Sequence, residues 1–161
     1  MNTLSISRLP TTARFAQLGF ITLMLALPIV ALAGAKEDAN AVIDRWSAAY
    51  SSNDPEAVVK TYRPDAILLG TVSPIISEGT EAIRTYYSPL KGSGNKNEIG
   101  ERHTIVLDDS AVVVTGFYVF IRMKGGQPVP DPARFTMLLI KADGEWLIAH
   151  HHSSPRAQPT K

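Results

Sequence analysis

Cysteine is absent from this sequence of 161 residues, which excludes disulfide bonds, thiol nucleophiles and cysteine-ligated zinc. Clusters of basic residues are absent as well. From residue 36 onward, fourteen basic residues stand against fifteen acidic ones, a formal charge of −1, because two of the sixteen basic residues lie further upstream. A nearly neutral domain gives no electrostatic reason to expect nucleic acid as a partner.

The N-terminal segment has no acidic residue before Glu37. Arg8 and Arg14 precede an apolar run over residues 15–33, which ends in small residues at 31–35. A basic start, an apolar core and an A-x-A ending predict a secretory signal peptide over residues 1–35. The alternative is an uncleaved membrane anchor, because the run approaches spanning length. Either interpretation predicts a periplasmic or secreted protein, and cleavage leaves it with no membrane partner.

The remaining chain is predicted to be one domain over residues 36–155, followed by a disordered tail at 156–161. Apolar residues spaced three and four apart in its first half are typical of amphipathic helices. The predicted helices span residues 36–52, about 55–62 with Asp54 as N-cap and Pro64 as stop, and from an N-cap at Thr80 to Pro89. Two short strands are predicted at 66–70 and 74–79, and a flexible loop at 91–97.

After this loop the apolar period changes from 3.6 to 2, which is typical of strands. Four β-rich runs follow, EIGERHTIVLD, SAVVVTGFYVFIRM, ARFTMLLIKA and EWLIAHHHS, and Asp143-Gly144 predicts a tight turn between the last two. Helices followed by a four-stranded antiparallel meander predict an α+β fold in which the helices cover one face of the sheet.

Two parts of the chain resemble a known superfamily. RWSAAYSSNDPEAVVKTYRPDAILL (45–69) and SEGTEAIRTYY (77–87) resemble the opening of nuclear-transport-factor-2-like domains, which include ketosteroid isomerases and SnoaL-like cyclases. The ending DGEWLIAHHHSSP (143–155) resembles the last hairpin of the calcium/calmodulin-dependent protein kinase II association domain and its stand-alone bacterial relatives.

The resemblance implies a cone-shaped, cystatin-like fold: a curved antiparallel sheet against a long N-terminal helix and two short helices, with a pocket at the open end. It also implies a homodimer or a higher homo-oligomer built on the outer sheet face. It does not imply kinase activity, because the chain has no Gly-rich nucleotide loop and no catalytic Asp loop.

The resemblance places Arg122 toward the pocket, and an arginine ending an apolar strand needs a partner or an anion if it is enclosed. The same likeness turns His150 and His152 inward, and strand alternation then puts His151 on the opposite face. Three roles for the pair stay open: metal ligands together with His103, catalytic acid/base groups, or hydrogen-bonding wall residues. The wall role is preferred, with no metal and no cofactor predicted.

The isomerase relatives use a tyrosine in the first helix and a carboxylate after the second helix. At the corresponding places this sequence has Trp46, with Tyr50 one turn later, and Leu69-Gly70, which carries no acid. Glu78 is the nearest carboxylate, and its simpler role is beside the start of the third helix. This departure argues against isomerase chemistry.

The preferred prediction is an exported module that binds a small organic, carboxylate-type ligand. The predicted pocket residues are Arg122, His150, His152, Trp46, Tyr50 and Tyr118. A first alternative is a SnoaL-like cyclase, dehydratase or isomerase in which His150 or His152 acts as acid/base. A second is a purely structural assembly domain.

Overall fold

The computed structural model describes residues 27–157, with side chains from residue 34 onward. Most of the predicted signal peptide and the end of the predicted tail, residues 158–161, lie outside this range. Within the described range, no helix combines the length and apolarity needed to cross a membrane.

The order of elements is helical at first and then almost wholly β. The helices are α1 (Leu27–Ser52), α2 (Pro55–Val59), α3 (Gly79–Tyr87) and a 3₁₀ turn (Ser88–Leu90). The strands are β1 (Tyr62–Leu69), β2 (Ile76–Glu78), β3 (Lys96–Val106), β4 (Ala111–Lys124), β5 (Gln127–Ala142) and β6 (Glu145–Pro155).

Helix α1 starts upstream of its predicted position but buries the predicted face. Ala39, Val42, Ile43 and Trp46 are all at most 1% exposed, as their spacing of three and four requires for one helix face. The helix lies alongside β3, where Arg102 Nη1 donates to Asp44 Oδ1 at 2.6 Å. One long helix thus forms the inner layer against which the sheet curves.

The short helices differ from prediction at their ends. Asp54 caps α2 as predicted, accepting from the backbone N–H groups of Glu56 and Ala57. That helix ends at Val59, so Tyr62, predicted inside it, opens β1 instead. Thr80 is not the N-cap of α3: that position belongs to Glu78, whose side chain makes no capping bond.

The sheet has six strands in the order β2-β1-β6-β5-β4-β3, is curved and does not close. The predicted meander is confirmed, because β3, β4, β5 and β6 pair antiparallel in sequence. The predicted antiparallel sheet has one exception, since β1 pairs parallel with β6. Asp143 and Gly144 form the predicted turn, both with positive φ (53° and 83°), as a type I′ hairpin requires.

Two β-bulges alter the alternation of the sheet. In β6, Ile148 pairs with Leu139 and His150 with Leu138, which leaves Ala149 as the extra residue. In β3, a second shift lies between Ile99 and Arg102. Bulges bend a strand and increase its twist, and here they accompany the curvature around α1.

Residues 91–97, predicted as a flexible loop, are held at several points. Asn53 Nδ2 donates to the Asn95 carbonyl at 2.7 Å, and the Met123 N–H donates to Asn95 Oδ1 at 3.0 Å. The start of the predicted tail is also anchored: the Arg156 N–H donates to the Pro132 carbonyl at 3.0 Å, and its guanidinium stacks on Phe117.

Candidate functional site

A cavity of about 190 Å³ opens between α1, α3, β1, β4 and β6. Four of the predicted pocket residues, Trp46, Tyr50, Tyr118 and Arg122, lie on its wall, as do Tyr86, Tyr87 and Phe120. Its other polar lining groups are Thr71, Asn95, His151 and Ser153. None of the described residues that line it carries a carboxylate. The wall is therefore mostly aromatic, with a few hydroxyl, amide, imidazole and guanidinium groups.

His151, and not its two neighbours, is the histidine of the cavity. It is 1% exposed, and its Nδ1 lies 2.7 Å from the Tyr62 hydroxyl. Its Nε2 lies 3.4 Å from the Tyr118 hydroxyl, and Trp46 meets the ring edge-on at 5.3 Å between centroids. Burial, together with a smaller effect of the nearby charges of His150 and His152, lowers the pKa of His151 to about 3. His151 is therefore a neutral imidazole at neutral pH.

The predicted inward orientation of His150 and His152 is wrong. His152 is exposed and lines a groove on the outer face of the sheet, and neither residue lines the cavity. The bulge at Ala149 is the cause, because one extra residue moves every later side chain to the opposite face. Trp146 and Ile148 precede the bulge and are buried.

Buried hydroxyls surround His151 on both sides. The Tyr62 hydroxyl lies 2.8 Å from that of Tyr87, which accepts from Trp46 Nε1 at 3.3 Å. On the other side, the Tyr118 hydroxyl donates to Ser153 Oγ, which also contacts Thr71 Oγ1. Burial raises the pKa of Tyr62 well above its ordinary value, and the pKa of Tyr118 is raised by the same cause. These phenols are protonated at neutral pH.

Arg122 supplies the positive charge of the cavity. Its Nε donates to Asp131 Oδ2 at 2.7 Å, and its guanidinium carbon lies 5.2 Å from the centre of the Phe120 ring. Among the described residues, neither of its two Nη groups has a hydrogen-bond partner. Burial raises the pKa of Tyr50 and of Tyr86, and the charge of Arg122 opposes that rise in both. The arginine thus keeps donors available where it lines the cavity.

The place of the missing isomerase carboxylate is filled by another side chain. A Cβ at Gly70 would overlap the ring of Tyr86, so this tyrosine occupies the space that an acid at position 70 would need. Glu78 is exposed and does not line the cavity. The sequence therefore lacks the isomerase carboxylate at this place, and the structure leaves no space for one.

The described residues contain no group of three or more His, Asp or Glu side chains placed to hold a metal ion. His103, considered as a third ligand, lies on the outer face, where its Nε2 is 3.0 Å from Glu101 Oε1. It is remote from the cavity wall and contributes nothing there.

Sequence reasoning missed Thr71, Tyr86, Asn95, His151 and Ser153 as cavity residues. Nothing in the local sequence of residues 150–153 indicates which of these side chains point toward the cavity and which point away from it. Gly70, directly after β1, is the one usable clue, since a glycine at a strand often marks close approach by another group.

A family model for the SnoaL-like domain matches residues 39–158. The chain belongs to the SnoaL-like family. A solved structure described as a calcium/calmodulin dependent protein kinase II association domain, from Xanthomonas campestris, is 35% identical with a TM-score of 0.70, over 74% of this chain and 86% of that one. The predicted resemblance is thereby confirmed.

Two further structures share the fold with this SnoaL-like domain at low identity. One is described as an NTF2-like protein with a cystatin-like fold from Novosphingobium aromaticivorans (15% identity, TM-score 0.68, 79% of this chain and 85% of that one). The other is described as a scytalone dehydratase from the same species (11% identity, TM-score 0.71, 80% and 89%). A comparison with curated proteins found no match.

Proposed function

We propose that this SnoaL-like domain binds a small organic acid in the cavity, with the carboxylate on Arg122. The observation that carries the proposal is the pair of Nη groups without partners on a guanidinium that lines a cavity without carboxylates. A guanidinium binds a carboxylate through two parallel N–H donors, and Asp131 occupies only the Nε side. The protonated phenols around it repel no anion.

The size of the cavity limits the ligand. An engineered cavity of about 150 Å³ is known to hold a benzene molecule. The volume here is about 190 Å³, so a single ring or a short branched chain with a carboxyl group fits and a steroid does not. The stacked and tilted rings of Trp46, Tyr50 and Tyr118 provide an apolar wall for such a body.

Arg122→Gln is expected to weaken binding of benzoate by about tenfold or more, because a charge-assisted hydrogen bond contributes about 1.5–3 kcal/mol. Isothermal titration calorimetry measures the two affinities. Arg134→Gln is the matched control, since Arg134 is exposed on the outer sheet face and, among the described residues, bonds only Ser154. Equal affinity of wild type and Arg122→Gln for benzoate, or for acetate and isovalerate tested alongside it, contradicts the proposal.

We also propose that the domain is exported and acts as a homodimer through its outer sheet face. The outward residues of the central strands, such as Val113, Val119 and Leu138, are only partly buried. A groove of about 540 Å³ crosses the same face. A sheet face that leaves apolar side chains partly exposed in this way is stabilised when a second copy covers it.

Leu138→Glu is expected to convert the dimer to a monomer in sedimentation velocity at micromolar concentration, because it places a charge in the centre of that face. Thr85→Glu, on the exposed side of α3, is the control and should remain dimeric. A wild-type protein that sediments as a monomer refutes the dimer without affecting the proposed ligand site.

A further inference from the structure

A chain of buried hydrogen-bonding groups leads from Trp46 to the cavity. Trp46 Nε1 lies 3.3 Å from the Tyr87 hydroxyl. The Tyr87 hydroxyl lies 2.8 Å from the Tyr62 hydroxyl. The Tyr62 hydroxyl in turn lies 2.7 Å from His151 Nδ1. All four side chains are buried, and we call them the donor chain. Each member lies on a different element: Trp46 on α1, Tyr87 on α3, Tyr62 at the start of β1 and His151 on β6.

The chemistry of these groups fixes the direction of every bond in the donor chain. An indole N–H can only donate, so the Tyr87 oxygen accepts from Trp46. Tyr87 then has one proton to place, and among the described residues its only other partner is the Tyr62 oxygen. Tyr62 in turn directs its own proton to His151 Nδ1. In the reverse arrangement the Tyr87 proton would have no acceptor among the described residues, an arrangement that buried polar groups rarely adopt.

His151 is therefore held in the tautomer that carries its proton on Nε2. That proton faces the Tyr118 oxygen at 3.4 Å, a long contact for a hydrogen bond. Tyr118 directs its own proton to Ser153 Oγ and so offers no competing donor to the imidazole. A donor that is held in place and weakly partnered thus lines the cavity, at a position different from Arg122.

We infer that His151, positioned by Tyr62, Tyr87 and Trp46, donates its Nε2 proton to a carbonyl oxygen of the ligand. This rests on the proposed function and narrows it: the ligand class is small acids that bear a second, uncharged acceptor oxygen away from the carboxylate, that is, oxo acids. Ligands that present an amine or hydroxyl proton to His151 Nε2 meet a donor instead of an acceptor and are disfavoured.

The tautomer is tested without any ligand. Long-range proton–nitrogen correlation spectra of nitrogen-15-histidine-labelled protein at neutral pH are expected to show His151 with protonated Nε2 and bare Nδ1. Tyr62→Phe, which keeps the ring and removes the donor to Nδ1, is expected to populate both tautomers. Tyr50→Phe removes a cavity hydroxyl outside the donor chain and should leave the wild-type tautomer. A wild-type His151 protonated on Nδ1, or a Tyr62→Phe spectrum identical to it, overturns the inference.

The ligand class is tested with 4-oxopentanoate and 4-methylpentanoate, which are similar in size and differ in that a methyl group replaces the carbonyl oxygen. Wild type is expected to favour the oxo acid by about three- to tenfold, as one hydrogen bond allows. Tyr62→Phe is expected to favour it less, because only part of that protein carries the proton on Nε2. Arg122→Gln should weaken both acids and leave the ratio of their affinities unchanged. An unchanged ratio in Tyr62→Phe overturns the oxo-acid assignment alone. If neither acid binds wild type, the proposed carboxylate site fails, and the oxo-acid assignment falls with it.

Discussion

Gly116→Ala is expected to lower the free energy of unfolding by about 3 kcal/mol, at the upper end of what overpacking costs. A Cβ at this position would lie 2.5 Å from the Glu101 carbonyl oxygen and 2.9 Å from Arg102 Cα. Both atoms belong to the backbone of β3, which cannot rotate aside as a side chain does. The substitution therefore has to displace the bulge that brings β3 close to β4.

The matched control is Gly100→Ala in the same bulge. Its nearest neighbour would be the Phe117 carbonyl oxygen at 3.2 Å, which a small shift accommodates, so a change under about 1 kcal/mol is expected. Urea denaturation followed by tryptophan fluorescence measures both values, provided that the slopes agree with wild type. Equal destabilisation by the two substitutions would show that the close approach at Gly116 is relieved elsewhere in the sheet.

Much of the fold follows from local signals. The spacing of apolar residues located α1, Asp54 located the start of α2, and Asp143-Gly144 located the last hairpin, because each depends on residues within a few positions of one another. The parallel pairing of β1 with β6 could not be predicted this way. It joins residues more than eighty positions apart, and no short pattern in either strand specifies it.

The same contrast explains which cavity residues could be predicted. Tyr118 and Arg122 lie on the expected face because β4 pairs with β5 without a register shift from Ala111 to Lys124. Strict alternation holds over that length and carries the even-numbered side chains inward. In β6 the alternation is interrupted by the bulge at Ala149. As a result His151 faces the cavity, in place of the predicted His150 and His152. A bulge depends on the strands beside it, and the run of three histidines gives no sign of which one turns inward.

The wild-type protein is expected to lose stability between pH 6.5 and about pH 3 through His151. An unfolded histidine has a pKa near 6.5, whereas burial lowers the pKa of His151 in the fold to about 3. In this window the unfolded state binds the extra proton, so falling pH favours unfolding. The contribution is fully present above pH 6.5 and decreases as the pH falls toward the folded pKa. A shift of this size corresponds to roughly 5 kcal/mol at most, at about 1.4 kcal/mol per unit.

His151→Gln isolates this effect, because glutamine does not titrate and its amide oxygen can still accept from Tyr62. The difference in unfolding free energy between wild type and this variant is expected to shrink as the pH falls from 6.5 toward 4. His103→Gln, an exposed substitution on the outer face, should keep the wild-type steepness. Urea denaturation at a series of pH values gives all three curves. If wild type and His151→Gln ran parallel, His151 would titrate in the fold as it does in the unfolded chain, and burial would not be lowering its pKa.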